Sequence, residues 1–332
     1  MVLFNTTGGR NGTLQAMPVQ NAVACAVLSL ACLVGVPGNL VVIVTILGNI
    51  KQRSSTITLI LSLAVADFVV LVTLPFWIYF LADSWIFGIR LWQLTVYLIF
   101  TSMYASVFFI TALSVERLVA ALYPFRIQAW WQRAAVRKVA ACVWILALLL
   151  AVPSVAVELK LDENGRPYQR AYSSDRHQIG LFLLETLVGF LIPFITLSIS
   201  YVSASQRIKQ MVSQRRNRSV KLIAGIVLVF AICWFPYHTG NIVKISSLLV
   251  KSSNPELSQK LDKAYQSMKD ASGALAFISS SINPILYAFA ARNFKDGFKT
   301  SNFAKLFEQL NSFKERREKG MNDSERQSES RV

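Results

Sequence analysis

Seven stretches of this chain, near residues 22–47, 57–82, 91–122, 139–157, 179–203, 222–243 and 271–291, are apolar over about the 20 residues that a helix needs to cross a bilayer. In hydrocarbon only helices and closed barrels satisfy their own backbone, and runs of this length exceed a barrel strand, so each is read as a helix. The expected fold is an all-α membrane protein, a seven-transmembrane helix bundle with a C-terminal amphipathic helix. A cleaved leader or a single anchor would leave one such run, not seven. Composition agrees: 54% of the 332 residues are hydrophobic and 16% charged, against about 25% charged in soluble domains. The third stretch is long enough to tilt and project beyond the membrane.

The bundle is assigned to residues 21–291, after an N-terminal segment, 1–20. Residues 292–313 follow, with Phe294, Phe298, Phe303, Leu306, Phe307 and Leu310 near helical spacing among lysines. This suits an amphipathic helix on membrane lipid, or a short helix packed on the bundle. A polar tail, 314–332, ends the chain.

Seven spans put the termini on opposite sides, and the basic residues say which is which. Connections after the first, third and fifth spans, with the tail, hold 22 Lys and Arg; the other face holds 11, interspersed with eight acids. The tail side is therefore expected to be cytoplasmic. Sequons at Asn5 and Asn11 then lie outside, as glycosylation requires. The net charge of +16 sits between apolar segments, where it faces anionic lipid; nucleic acid is not an expected partner. All four cysteines, Cys25, Cys32, Cys142 and Cys233, fall inside apolar runs. No extracellular disulfide or cysteine-bound metal is expected.

Polar groups at bilayer depth are costly, so each marks a candidate site. Asp67 is the only acid of the second span. With Ser106 and Asn283 it would form a hydrated cavity able to hold a sodium ion, or a polar packing node without one. Six spans carry prolines, including Cys233-Trp234-Phe235-Pro236 and Asn283-Pro284-Ile285-Leu286-Tyr287; such kinks suggest a bundle with two arrangements. Glu116-Arg117 ends the third span, and Arg117 either reaches Tyr201, Tyr287 or a partner, or snorkels to the interface.

In order along the chain, Gly38-Asn39, Leu63-Ala64-Val65-Ala66-Asp67, Glu116-Arg117, Trp144, Pro193, Tyr201 and the two proline motifs resemble the rhodopsin-like, class A G protein-coupled receptors. Ser102-Met103-Tyr104-Ala105-Ser106-Val107, Trp234-Phe235-Pro236-Tyr237-His238, Phe277 to Pro284 and Glu185 to Pro193 are most similar to chemoattractant receptors, especially leukotriene B4 receptors. The resemblance implies a plasma-membrane receptor that binds an extracellular lipid mediator or peptide and activates a heterotrimeric G protein, the Gi class foremost, with arrestin as a further partner. It implies coupling and switching through Glu116, Arg117, Tyr201, Trp234, Pro236, Asn283, Pro284 and Tyr287.

The chain also departs from that family. Counting back from Arg117, the cysteine that normally ties the third helix to the second outer loop is Trp92, and that loop has none. Trp92 either buries its indole against the loop, in partial place of the disulfide, or faces lipid. Leu118 replaces the usual Tyr after the Arg, and basic residues associated with lipid-acid recognition become Gln93, Glu158 and Gln178. The ligand pocket is expected between the third, fifth, sixth and seventh helices, with Tyr97, Tyr104, His177, Glu185, Tyr237, His238 and Asn241 as its polar groups amid apolar walls.

Enzyme and pump readings fail on residues. There is no H-E-x-x-H motif and no second aspartate facing Asp67 in the spans, and the last span, Ala271 to Ala291, has no lysine for a retinal Schiff base. The alternative function is a scavenger receptor that binds ligand without engaging a G protein.

Overall fold

The computed structural model describes residues 19–49, 55–123, 133–161, 167–209 and 214–293. These form α1 (Val19–Asn49), α2 (Ser55–Leu71), α3 (Leu74–Ala82), α4 (Gly88–Leu122), α5 (Arg133–Val155), β1 (Glu158–Leu161), β2 (Pro167–Ala171), α6 (Asp175–Thr186), α7 (Ile192–Lys209), α8 (Gln214–Val250) and α9 (Pro255–Asn293). With α2 and α3 as one rod, and α6 and α7 as another joined by a π-helical turn at Leu187–Leu191, the described residues make seven rods. Five stretches among them are long and apolar enough to cross a bilayer unaided. The antiparallel pair β1 and β2, with Glu158 opposite Ala171, adds a hairpin to the all-α expectation. It marks the hairpin end of the bundle.

The polarity is that of a lipid-solvated protein. On α1, Leu33 is 74% exposed while Asn39 is wholly buried. Apolar side chains face outward and the few polar ones face other helices, which is stable only where the surroundings are hydrocarbon. α9 packs along both α8 and α1, and α4 packs on α2, α5 and α7. Close approach of α1 and α9 depends on small residues: a Cβ on Gly35 would lie 2.6 Å from Leu71 Cδ1 and 3.0 Å from Ser281 Cα. Any side chain there would push α1 off the bundle.

Prolines account for the irregular turns. Pro75 cannot donate to the Leu71 carbonyl, and the second rod breaks there, the Thr73 hydroxyl donating to the Val70 carbonyl at 2.7 Å. The π turn at Leu187–Leu191 lies just before Pro193, one of the prolines expected to interrupt its span. Pro284 leaves the Ser280 carbonyl without its helical donor, and Asn39 Nδ2 supplies one from α1 at 3.1 Å.

Trp92, 1% exposed, lies in a box of rings. Its centroid is 5.1 Å from Trp77, 5.0 Å from Phe80 and 5.1 Å from Trp85, all edge-on. Trp85 donates its indole N–H to the Gly88 carbonyl at 2.8 Å, and Gly88 holds φ +78°, a conformation glycine adopts without strain. The indole is buried, and among the described residues its ring partners come from α3 and the turn before α4. Edge-on aromatic pairs contribute about 0.5–1.5 kcal/mol each beyond burial. Three on one indole match the order of the ~2–4 kcal/mol of a disulfide. Cys25, Cys32, Cys142 and Cys233 are all free thiols.

Candidate functional site

Two buried carboxylates organise the interior. Asp67 on α2 is wholly buried. Its Oδ1 accepts from the Ser106 hydroxyl on α4 and its Oδ2 from Asn283 Nδ2 on α9, both at 2.7 Å. One side chain thus ties three rods at mid-membrane, and the expected trio is brought together. Asn39 does not join it; its Nδ2 serves the Gly35 and Ser280 carbonyls, and its Oδ1 is buried without a partner. Asp67 supplies the charge and Ser106 an oxygen suited to a hard monovalent cation, which would have to displace protein donors from the carboxylate. Among the described residues no cluster of His, Cys, Asp and Glu could hold a transition metal.

The second carboxylate is Glu185 on α6, 5% exposed. Its Oε2 accepts from the Tyr237 hydroxyl at 2.7 Å and from Asn241 Nδ2 at 3.2 Å. Tyr237 and Asn241 stand one turn apart on α8, so the pair grips a single helix. Beside them His238 stacks on Phe190, centroids 4.9 Å apart. Its Nδ1 lies 3.4 Å from the Thr186 hydroxyl, and its Nε2 is buried without a partner. Tyr104 is buried and stacks on Phe108; a Cβ on Gly189 would lie 3.6 Å from the Tyr104 ring and 3.9 Å from His238. Both side chains therefore line the π turn.

Between the two centres lies a narrow cavity, with room in this arrangement for little more than a water, lined by Val70, Ile99, Met103, Trp234, Tyr237, Ala276, Phe277 and Ser280. Its walls are mainly apolar and come from the second, third, sixth and seventh rods. The expected pocket used the fifth instead of the second; the fifth reaches this cavity only through the bond from Tyr237 to Glu185. Trp234, 6% exposed, forms part of the wall, and its indole nitrogen has no partner.

Other expected residues lie elsewhere. The Tyr97 hydroxyl donates to the Leu148 carbonyl of α5 at 3.1 Å, which turns it toward the fourth rod. His177 sits in the first turn of α6, its Nδ1 2.9 Å from the Ser173 hydroxyl, where its backbone N–H is capped by Ser174 Oγ. Glu116 is buried; its Oε1 accepts from the Thr56 hydroxyl of α2 at 2.7 Å, and its Oε2 has no partner among the described residues. Tyr201 is half-buried on α7, and Pro236 and Pro284 lie within α8 and α9. The side chains of Arg117 and Tyr287, sequons Asn5 and Asn11, and residues from 294 onward lie outside the described residues.

Sequence reasoning missed Lys269. It is 7% exposed on α9, and a seven-residue step places it two turns from Ala276, on the face that lines the cavity. Counting charges by side of the membrane had assigned it to a loop; a helical wheel extended past residue 271 would have found it.

This arrangement, seven rods around a buried Asp67 knot with an apolar cavity above it, defines a seven-helix membrane bundle. A family described as "7 transmembrane receptor (rhodopsin family)" matches residues 38–287. The chain is 35% identical over 309 residues to leukotriene B4 receptor 1 of Homo sapiens, spanning 92% of this chain and 87% of the relative. It is 36% identical over 287 residues to leukotriene B4 receptor 2 of Mus musculus, spanning 85% and 79%. It is 29% identical over 288 residues to C-C chemokine receptor type 7 of Homo sapiens, spanning 85% and 74%. The chain belongs to the rhodopsin family of seven-transmembrane, G protein-coupled receptors. It is a multi-pass plasma-membrane receptor and not an enzyme, and its partners are an extracellular ligand and a heterotrimeric G protein.

Proposed function

We propose that this receptor detects an extracellular chemoattractant, a lipid mediator of the leukotriene B4 type, and signals through a G protein of the Gi class. The observation that carries the reading is the cavity: mainly apolar walls that include Tyr237, whose hydroxyl donates to the buried Glu185 carboxylate. An apolar chain suits the walls, and hydroxyl and carboxylate groups on the same molecule suit the Tyr237 end. The names of the relatives support that class of ligand, and the basic connections support a hairpin end that faces outward.

A ligand shifts such a bundle only by its differential affinity for two arrangements. Competition for the Tyr237 and Asn241 donors would free α8 from Glu185, and Trp234 and Pro236 would carry that change toward Tyr201, Glu116 and Arg117. Sodium at Asp67, Ser106 and Asn283 would favour the arrangement in which that knot is closed. Arrestin and membrane lipid remain proposed partners.

Nucleotide exchange on membranes, with leukotriene B4 and chemotactic peptides as probes, tests the reading. Exchange is expected with the lipid, and Arg117→Ala should abolish it at equal surface expression and ligand binding. Response to peptides alone would reassign the ligand class. Binding without exchange would favour the scavenger reading, to which Leu118 lends support.

A further inference from the structure

The hairpin-end halves of α8 and α9 form an antiparallel pair joined by rungs one helical turn apart. At the first, Gly240 faces Tyr265, where a Cβ would come within 3.8 Å of the ring. At the second, the Lys244 ammonium bonds the Asp262 carboxylate and lies 5.7 Å from the Tyr265 ring centroid. At the third, Ser247 and Ser258, both buried, exchange bonds. Each hydroxyl donates to the other residue's carbonyl at 2.9 Å. Asn254 Oδ1 closes the turn by accepting from the Leu257 N–H at 3.0 Å. Sliding one helix past the other would strand buried hydroxyls and part a half-buried ion pair at once.

The fifth rod meets this pair differently. Besides the bonds from Tyr237 and Asn241 to Glu185, it meets the pair through the exposed ions Lys251 and Asp175, 2.8 Å apart, which water screens. Beside that lies a small apolar contact among Phe182, Ile245 and Tyr265.

We propose that the hairpin-end halves of α8 and α9 move as one rigid body when the receptor changes state. A ligand that draws Tyr237 and Asn241 from Glu185 then carries Lys269 and Phe277 with them. The two helices keep their spacing across the cavity, and the bundle opens along the seam between α6 and α8. The signal reaches the Asn283-Pro284 turn through α9 directly, without first crossing Trp234.

The test uses the full chain in lipid nanodiscs. Ser247→Cys with Ser258→Cys places two thiols where hydroxyl oxygens stand 3.3 Å apart, close enough for a disulfide after small adjustment. Nucleotide exchange by added Gi heterotrimer, basal and with leukotriene B4, should be the same within about twofold in the oxidised and reduced forms. Exchange that falls several-fold on oxidation and returns on reduction would overturn the proposal. Hydrogen exchange supplies an arm that needs neither ligand nor G protein. Asp262→Asn should loosen residues 244–250 of α8 and 255–262 of α9 together, and loosening confined to α9 would overturn it. Absence of exchange activity in both redox forms would count against the proposed signalling, and the hydrogen-exchange arm would then decide alone.

Discussion

Asp67 and Glu185 are both buried carboxylates that accept from neutral donors, yet they are held in different ways. Asp67 takes donors from two rods, on separate oxygens, and is itself wholly buried. Glu185 takes two donors on one oxygen from α8, and the nearer donor, Tyr237, also lines the cavity. The first can change only if three rods move. The second can be competed for by whatever enters the cavity. Equal burial therefore does not mean equal function: the number of helices that share a carboxylate separates a knot from a latch.

The largest effect should come from cutting the knot. Asp67→Ala strands Ser106 and Asn283, and each buried unpaired group costs about 1–3 kcal/mol. Thermal unfolding of the purified receptor should show a loss of about 2–5 kcal/mol. A loss below 1 kcal/mol would erase the distinction between the two sites. Glu185→Ala should cost less, about 1–2 kcal/mol, because water in the cavity can serve Tyr237. It should also raise basal nucleotide exchange, which Asp67→Ala should not. Equal basal exchange in the two variants would make Glu185 a second knot.

Within the latch, Tyr237→Phe should release more basal exchange than Asn241→Ala, since the phenol bond is the shorter at 2.7 Å against 3.2 Å. The reverse order would place the grip on the amide. The smallest effect concerns sodium. Replacing a large cation by sodium at constant ionic strength should lower agonist affinity a few-fold, roughly 1 kcal/mol. Asp67→Asn should remove that dependence, and Glu185→Gln should leave it intact. Sodium sensitivity that survives Asp67→Asn would leave the knot without an ion.

The knot was legible in sequence because a lone aspartate in an apolar run, an amide before a proline and a small hydroxyl each stand out against hydrocarbon. The latch was named in part. Glu185, Tyr237 and Asn241 were candidates, but which of them bond each other depends on the rotation of α6, and that rotation is set by a π turn that no periodicity reveals. Tyr97 was misdirected for a related reason: spacing gives the face of α4 only to within about a quarter turn, and the fourth rod lies beside the third there. The paired extension of α8 and α9 was hidden by the criterion itself. Apolar length ends where water begins, whereas a helix continues as long as its serines and lysines find partners.

The ring box around Trp92 has a consequence for how the chain is made. A receptor whose outer geometry depends on a cystine must wait, during synthesis, for an oxidant and for the right pairing among its thiols. This chain holds the same place with Trp77, Phe80, Trp85 and Trp92, which can meet as soon as α3 and α4 have left the translocon. The turn between them, from Asp83 to Phe87, is short, so the box closes between neighbours in sequence. Assembly of this corner is therefore independent of the oxidising power of the compartment, and the chain should reach its native form in a reducing host where cystine-dependent relatives stall.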